Sequence, residues 1–513
     1  MSKWRNLRGV CGAVGCVLLA ACASGPQARG PQARGPQALP AQAAMKVDGR
    51  EFLPREQVRR WQEELDAMGL RDTGSPAHER YVDQLHERLL AAGVRDLRFE
   101  SLPLARWSAR HWALQAADGE RIAVAGYVPY SGRTGAQGRE AGLVYLPPGA
   151  APDQRVAGKI VLFDLPRATL TGDFFHRLAL RAYDPAGSLP PGAPYARPYQ
   201  VLEVLTALQE KLQAAGAVGA IAIIDAPAQT AEGLYAPYDR ELRAVPALYV
   251  DRDAGRRLKA LAAKGAALRL TLDAQVEQVR TRNLIGVIPG ATDEWIVINS
   301  HTDGTNGIED NGPNAIVDMA GYLSRLPRSS LPRGVMIMLS SGHFAGGAGV
   351  QDFLARHQGD ALASRIAAVV TIEHLGAMEW LPDATGKLAP TGKFEPVGVF
   401  MPPIPALVDA AEAMVRQADA GPAFIMPPLN PKGDGGPNNA VWPGEGQYFW
   451  GRGRIPTINY ISGPNYLLNY GVTTADKVDY ARMQRETVAA TQLLLDLSRV
   501  PFGQLRPEPA AAR

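Results

Sequence analysis

The segment TRNLIGVIPGATDEWIVINSHTDGTNGIEDNG, residues 281–312, carries the features that decide the fold. Its two apolar runs, 283–287 and 295–299, are short and bounded by turn residues, which predicts two strands. Because the runs are mostly apolar rather than alternating, both faces of each strand should be covered. Polar residues follow the second run at once, and ligand sites in open α/β sheets form where strands end. The segment therefore predicts a buried sheet with a site at its edge.

The chain beyond this segment continues to alternate apolar strands with helices. Further strands are predicted at 335–339, 367–372 and 457–461, and helices at 315–326, 349–357, 404–417 and 480–497. This alternation is typical of a parallel sheet with helices on both faces. We therefore expect an α/β fold, a three-layer sandwich with a mainly parallel central sheet.

The ends of three predicted strands carry imidazole or carboxylate groups, namely His301, Asp303, Asp310, His343 and Glu373. Imidazole and carboxylate together suit a catalytic zinc ion, which takes about three protein ligands and a water. Structural roles are open as well: His301 and Asp303 could form a hydrogen-bonded pair, and Asp310 could cap a helix. His374 adjoins Glu373 but should point elsewhere on an extended chain.

The region before residue 281 has a different pattern of apolar residues. Residues 55–93 show apolar positions at helical spacing, interrupted near 71–76, and predict two helices. Between 121 and 273, short apolar strands alternate with turns, which predicts a mostly-β segment with one helix at 199–215. A Pro- and Gly-rich excursion at 166–198 is expected to be a surface loop or a lid.

The N-terminus has the pattern of a targeting segment. Lys3, Arg5 and Arg8 precede an apolar run at 9–21 that is too short to span a bilayer, and Cys22 follows it. The run ends in LAAC, which resembles a lipoprotein box and implies a signal peptide at 1–21 and lipidation of Cys22. An ordinary secretory signal is the alternative. The low-complexity repeat that follows predicts a disordered tether at 22–45.

This N-terminus implies export and lipid attachment to the cell envelope, with an outer membrane as one candidate location.

The formal net charge of +3 is carried entirely by the three basic residues before residue 9, so the body is near neutral. A neutral body does not suit a nucleic-acid partner. The three cysteines all lie within the first 22 residues. Any metal in the body must therefore be held by His, Asp or Glu.

Residues 121–274 are similar to a protease-associated domain. The similarity rests on the motifs VAGKIVL at 156–162, AAGAVGA at 214–220 and VPA at 245–247, in that order. It implies an inserted, mostly-β domain within the α/β body.

The body itself resembles the di-zinc aminopeptidase and glutamate carboxypeptidase family. The motifs are NLIGVIPG at 283–290, His301-x-Asp303, and GIEDNG at 307–312. With the insertion, the resemblance covers about residues 55–499 and implies a zinc-exopeptidase-like domain built from 46–120 and 275–500. The family implies a pair of zinc ions that activates water for hydrolysis of a peptide or amide substrate.

The resemblance assigns roles to four residues. His301 matches a zinc ligand, and Asp303 matches the carboxylate that orients that histidine. Asp310 matches the aspartate that bridges the two metals, and Glu373 matches an acidic ligand that is usually an aspartate.

Two departures from the family remove the second metal. The family has two adjacent glutamates, the general base and a zinc ligand, where this chain has His343 and Phe344. The last family ligand is a histidine, but no histidine follows His374, and Asn469 lies near its expected place. We therefore expect one zinc ion, with His343 as a base near neutral pH or as a further ligand. Other acidic candidates are Glu309, Asp434 and Glu445.

Three functions are compatible with this pattern. The first is a single-metal hydrolase of peptide or amide bonds, attached to the membrane by its lipid alone. The second is a non-catalytic binding or scaffolding lipoprotein, since the fold can lose its metals, as in transferrin receptors, which the architecture also resembles. The third, a serine hydrolase, is disfavoured because the SSGH sequence at 340–343 lacks a Gly-x-Ser-x-Gly elbow. The sequence does not indicate an oligomeric state.

Overall fold

The structure, a computed structural model, describes residues 45–165, 170–199, 202–431 and 441–507. The predicted signal peptide, Cys22 and the tether up to residue 44 lie outside the described residues, as does Asp434. Within the described part, no helix combines the length and the apolarity needed to cross a membrane.

Each predicted helix is present. The helices are α1 (Arg55–Met68), α2 (Pro76–Ala91), α3 (Gly172–Leu178), α4 (Leu202–Ala214), α5 (Ala228–Ala231), α6 (Arg252–Ala263), α7 (Gly312–Ser324), α8 (Ala348–Arg356), α9 (Ala361–Arg365), α10 (Pro405–Ala418), α11 (Gln447–Gly451), α12 (Tyr480–Leu497) and α13 (Phe502–Leu505). The segment 121–273, predicted to contain one helix, contains α3, α4, α5 and α6, so the prediction of a single helix there is wrong.

The strands include one long pair that the sequence does not predict, β1 with β11. The strands are β1 (Asp96–Ala116), β2 (Arg121–Ile122), β3 (Gly126–Tyr127), β4 (Gly135–Leu146), β5 (Ile160–Asp164), β6 (Leu170–Thr171), β7 (Arg181–Tyr183), β8 (Pro194–Tyr195), β9 (Gly219–Ile223), β10 (Ala247–Val250), β11 (Ala267–Ile288), β12 (Trp295–His301), β13 (Gly334–Ser340), β14 (Ile366–Ile372), β15 (Met378–Pro382), β16 (Leu388–Phe394), β17 (Val397–Phe400), β18 (Ala423–Met426) and β19 (Thr457–Ser462).

Four parallel strands form the centre of the large sheet, in the order β13-β12-β14-β19. Alternate side chains of these strands enter two separate apolar cores. Ile296 and Ile337 belong to the core that contains α7 and α12, whereas Val297 and Met336 belong to the core that contains Phe353 of α8. Strands covered on both faces explain the continuous apolar runs in the sequence. The predicted three-layer α/β fold is therefore confirmed.

The insertion is joined to the body by β11. This strand pairs with β4 over its first residues and with β13 over its last, and β1 runs antiparallel along most of its length. The predicted domain boundary at 274/275 falls inside this unbroken strand. Beyond β4, the strands β5, β9, β10 and β3 extend the sheet through the segment likened to a protease-associated domain. The described residues form one compact unit, and the domain limits stay a prediction.

The Pro- and Gly-rich excursion is more ordered than a surface loop. Its β7 pairs with the edge strand β18, and Phe175 of α3 packs on Phe424 with ring centroids 5.3 Å apart. Arg197, at the end of the excursion, donates a hydrogen bond of 2.7 Å to the buried Glu395. The excursion therefore extends the edge of the sheet, because it buries its aromatic residues there.

Asp318 on α7 generates a prediction about stability. It is 8% exposed, accepts a 3.0 Å hydrogen bond from the Leu53 amide, and burial raises its pKa to about 6. A carboxyl with a raised folded pKa favours the protonated state, so stability falls as pH rises from about 4 to about 6. Asp318→Asn keeps the acceptor and should stabilise the protein at pH 8 by on the order of 2 kcal/mol, with little effect at pH 4.

Urea unfolding at the two pH values measures this difference. The matched control is Asp409→Asn, an exposed position on the helix α10, which should change stability little at either pH. Equal stability of Asp318→Asn and the parent protein at pH 8 would contradict the prediction.

Candidate active site

Four buried donor atoms converge where β12 and β14 end. The Nε2 atom of His301 lies 3.5 Å from Glu373 Oε2 and 3.8 Å from Glu309 Oε2, and His374 Nε2 lies 3.7 Å from Glu309 Oε1. His301 Nε2, Glu309 Oε2, Glu373 Oε2 and His374 Nε2 are fully buried and have no hydrogen-bond partner among the described residues. Such groups rarely stay unpaired in a folded protein, so their convergence points to a ligand that they share.

The second nitrogen of each of these two imidazoles is held by a backbone carbonyl. His301 Nδ1 lies 2.8 Å from the carbonyl oxygen of Asp303, and His374 Nδ1 lies 2.5 Å from that of Ser462. A carbonyl can only accept, so Nδ1 carries a proton, and Nε2 is the atom that can bind a metal ion once it holds no proton of its own. This arrangement is the one that metal-ligating histidines show in proteins.

The carboxylate of Glu373 is fixed by its other oxygen. Glu373 Oε1 accepts hydrogen bonds from the Glu445 amide at 3.0 Å and from Asn459 Nδ2 at 2.9 Å. The chain passes so close that a Cβ at Gly444, where φ is +100°, would lie 2.8 Å from that oxygen. Oε2 is thereby turned toward His301, and the neighbouring imidazoles hold the pKa of Glu373 at about 2 although burial opposes this.

His374 reaches the site because of its backbone conformation. Adjacent side chains on an extended chain point in opposite directions, which is why the sequence pattern directs His374 away from Glu373. The structure instead has His374 in the left-handed region, with φ of +57°. This turn lets two consecutive residues face one centre. Left-handed backbone at a non-glycine residue is costly and tends to occur at functional sites.

The spacing and the charge of this group suit a metal ion. Ligand atoms about 2.0–2.1 Å from a tetrahedral zinc are roughly 3.3 Å from one another, close to the separations of 3.5–3.8 Å between His301 and each glutamate and between Glu309 and His374. The ligand atoms of His301, Glu309 and His374 all lie within 4.8 Å of one another, whereas Glu373 belongs to a second set with His301 and His343. Two buried carboxylates without a countercharge are strongly unfavourable, and a divalent cation would neutralise them. Their negative charge also raises the pKa of His301 well above its usual value, although burial lowers it.

His343 stacks on His301 and is paired with a carboxylate that the sequence offers only as a spare candidate. The two rings are 4.2 Å apart and inclined by 15°, and His343 Nδ1 lies 2.9 Å from Glu445 Oε2. Ser340 donates to the other oxygen of Glu445 at 2.7 Å. Burial lowers the pKa of His343, but the hydrogen bond and charge of Glu445 outweigh this and raise it.

The stacking also bears on whether His343 binds metal. A ring nitrogen of His343 lies within 4.8 Å of the ligand atoms of His301 and Glu373. However, an imidazole lone pair lies in the plane of its ring, and stacked rings direct their lone pairs along two separate planes. One ion cannot lie in both planes at bonding distance, so His343 fits a base beside the donor atoms better than it fits a fellow ligand.

Asp303 positions the site through two different groups. Its backbone carbonyl holds the His301 ring, whereas the resemblance implies that its carboxylate does so. The carboxylate instead accepts hydrogen bonds from the amides of His343 and Phe344, at 3.2 and 2.9 Å, and from the Thr73 hydroxyl. Asp303 therefore fixes both stacked histidines, one by each group.

Asp310 is paired with an arginine. Arg71 is fully buried and donates from Nε to Asp310 Oδ2 at 2.7 Å and from Nη2 to Oδ1 at 2.6 Å. The guanidinium also donates to the carbonyl oxygens of Leu65, Gly69 and Asn306. Both carboxylate oxygens of Asp310 thus face a fixed cation, and Asp310 is not a member of the donor group described above. Its neighbour Glu309 lies in that group instead.

The structure brings together three of the five residues predicted for the site, His301, His343 and Glu373, while Asp303 supports them and Asp310 is paired with Arg71. Glu309 and Glu445 are only further candidates in the sequence, and His374 is expected to point away, but all three lie in or beside the site. The presence of an acidic pair at 309–310 and of Glu373 next to His374 is visible in the sequence, but nothing there tells which member faces the site. The hydroxyl of Ser341 bonds to Thr281, and Nδ1 of His343 is taken by Glu445, so the described residues contain no serine–histidine pair here.

Comparison with known proteins identifies the fold. No family model and no curated protein sequence matches the chain. Among solved structures, the zinc aminopeptidase BSAP from Bacillus subtilis is similar over 86% of this chain and 94% of its own, with a TM-score of 0.59 and 13% identity. A peptidase M28 precursor from Shewanella amazonensis has a TM-score of 0.59 and 16% identity over 87% of this chain and 98% of its own.

An aminopeptidase from Aneurinibacillus sp. strain AM-1 gives the same result, with a TM-score of 0.54 and 13% identity over 88% of this chain and 95% of its own. At such identities the likeness establishes the fold alone. The chain therefore has the zinc-exopeptidase fold expected from its motifs.

Proposed function

We propose that this chain is a hydrolase that uses one divalent metal ion, best matched by zinc, to cleave a peptide or amide bond. The observation that carries the proposal is the convergence of four buried, unpaired donor atoms, from His301, Glu309, Glu373 and His374, on a zinc-exopeptidase fold. Two imidazoles and two carboxylates form a donor set that suits zinc. The peptidases among the similar structures support the choice of substrate bond.

A zinc ion held within this group, with His301, Glu309 and His374 as the three ligands closest to one another, would supply Lewis-acid polarisation of the scissile carbonyl and would acidify water. The chain itself supplies the proton transfers. Glu445 keeps the proton of His343 on Nδ1, so that Nε2 carries the lone pair. His343 would take a proton from the attacking water through Nε2 and pass it to the leaving amine. Ser340 holds Glu445 in place, and Asp303 holds the His343 amide.

Metal content tests the assignment of ligands. Purified protein lacking residues 1–44 should contain about one zinc per chain by elemental analysis, and His374→Gln or Glu309→Gln should lose most of it, because each removes a donor. His343→Gln should keep its metal, since His343 is proposed as a base. Asp310→Asn should also keep it, because Asp310 is paired with Arg71.

Circular dichroism of each variant controls for unfolding. A protein without metal even after zinc is supplied would overturn the proposal and favour the non-catalytic binding module, which the replacement of two family ligands by Phe344 and Asn469 would then explain. Full metal content in His374→Gln would contradict this ligand set alone.

Kinetics test the proton-transfer pair. His343→Gln should lower kcat on the best peptide or amide substrate by about 10²- to 10⁴-fold, the usual contribution of a general base. Glu445→Gln should lower kcat less, because the imidazole remains but loses its fixed tautomer. The matched control is His78→Gln, a buried histidine that bonds to Thr302 and the Gly74 amide. Unchanged kcat in His343→Gln would assign the base elsewhere.

We also propose that the protein is exported and attached to the cell envelope by a lipid on Cys22. The basic start, the short apolar run and the lack of later cysteines support this. In cells fed radiolabelled palmitate, the full chain should be labelled and should fractionate with membranes, because the lipid is its proposed attachment. Cys22→Ser should lose both properties, whereas Cys16→Ser, inside the apolar run, should keep them. Labelling of Cys22→Ser would contradict the proposal.

A further inference from the structure

One segment of the insertion, residues 230–240, lies directly on the loops that carry the candidate site. The Tyr235 amide donates to the Leu468 carbonyl at 2.8 Å, and the Gly346 amide donates to the Tyr238 carbonyl at 2.9 Å. Because the backbone bonds to both loops, its position over the site is fixed. We call residues 230–240 the roof segment.

The roof segment is held by the two residues that replace lost metal ligands. Phe344 packs against the rings of Tyr235 and Tyr238, with centroids 5.5 and 5.0 Å away. The amide of Asn469 donates to the carbonyl oxygens of Thr230 and Glu232, at 3.0 and 2.6 Å. Both residues therefore have a structural role. At the positions where the family would hold a second metal ion, this chain has an aromatic contact and two hydrogen bonds, and these attach the roof segment.

The roof segment places Tyr238 beside the proposed base. Its ring centroid is 5.2 Å from that of His343, and the side chain is 8% exposed. Its hydroxyl forms no hydrogen bond with any described residue. Burial, together with the nearby carboxylates of Glu309, Glu373 and Glu445, raises the pKa of Tyr238 far above its usual value. The phenol therefore stays protonated and can donate.

The carboxylates and imidazoles of the site cannot take this role. The carboxylates are acceptors, and the protonated nitrogens of His301, His374 and His343 already donate to Asp303, Ser462 and Glu445. Amide hydrolysis develops negative charge on the carbonyl oxygen, and a fixed donor aimed at that oxygen stabilises the transition state. The hydroxyl of Tyr238 is a donor without a partner in the described part of the site.

We propose that Tyr238 is a catalytic residue supplied by the insertion, which donates its hydroxyl hydrogen bond to the carbonyl oxygen of the scissile amide. In this site it takes over part of the charge stabilisation that a second metal ion would provide. The inference rests on the proposed function, because it assigns a role in the same reaction. It also gives the insertion a chemical role in addition to a structural one.

The test compares Tyr238→Phe with Tyr235→Phe. Tyr235 lies on the same roof segment and packs on the same Phe344, but its charged neighbours are Asp72 and Asp303 rather than the donor-atom carboxylates. With metal bound, Tyr238→Phe should lower kcat by about 10²-fold, as expected for loss of one oxyanion donor, with metal content unchanged. Tyr235→Phe should keep kcat within about twofold of the parent.

A binding measurement gives a readout that does not depend on turnover. After removal of metal by a chelator, the dipeptide amide Ala-Ala-NH2 can be titrated calorimetrically without being cleaved. Tyr238→Phe should bind it about 3- to 10-fold more weakly than the parent, the usual effect of losing one neutral hydrogen bond, and Tyr235→Phe should bind it equally. Equal affinity and equal kcat in Tyr238→Phe and the parent would overturn the assignment, as would absence of binding by the parent.

The two proposals can fail separately. A parent protein that binds no zinc and cleaves no amide, but whose affinity for the dipeptide amide still depends on the Tyr238 hydroxyl, would overturn the hydrolase and leave Tyr238 as a ligand-binding residue only. A zinc-containing, active parent with an unaffected Tyr238→Phe variant would overturn the assignment of Tyr238 and leave the hydrolase.

Discussion

Two carboxylates, Glu309 and Glu373, are buried against His301 with one oxygen each left without a donor. Burying negative charge in this way costs several kcal/mol per group unless a countercharge is supplied. The surrounding loops are built to keep these oxygens where they are. The Asn459 side chain and the Glu445 amide donate hydrogen bonds to Glu373. The side-chain oxygen of Asn306 accepts a hydrogen bond from the backbone amide of Glu309. The geometry of the site is thus set before any ion binds, which is the condition for a tight metal site.

Two neighbouring acidic residues, Glu309 and Asp310, have different countercharges. Asp310 faces the fixed guanidinium of Arg71, and Glu309 faces the two imidazoles. An arginine cannot be deprotonated in a protein, so Asp310 is permanently neutralised by the chain itself. Arg71 therefore supplies the countercharge of Asp310, whereas the two imidazoles are the cationic groups nearest Glu309.

The segment 121–274, predicted as an insertion, contacts the rest of the chain at the loops that carry the candidate site. Strand β11 carries the sheet from one into the other, and the roof segment returns to the loops after β13 and β19. Phe344 and Asn469 would be unsuitable as metal ligands. They are well suited to contact with the roof segment. Their contacts with the roof segment are an aromatic packing contact and two hydrogen bonds.

The sequence by itself determined the layers and the place of the site. Short apolar runs such as 295–299 and 367–372, bounded by turn residues, predict strands covered on both faces, and polar groups directly after parallel strands are expected to meet at one sheet edge. The motifs identified His301, Glu373 and His343 as candidate site residues, and the absence of a histidine after His374 is the reason for the prediction of a single metal ion. What the sequence could not determine is which way a side chain faces where the backbone departs from regular geometry.

Only the tertiary structure decided those orientations. The left-handed turn at His374 directs the side chains of Glu373 and His374 to one centre. Arg71, which is more than two hundred residues from Asp310 in the sequence, forms an ion pair with Asp310, whereas Glu309 faces the site. Glu445 and Tyr238 reach His343 from separate loops, and no local pattern marks either of them. These choices depend on contacts between residues distant in sequence, and local periodicity carries no information about such contacts.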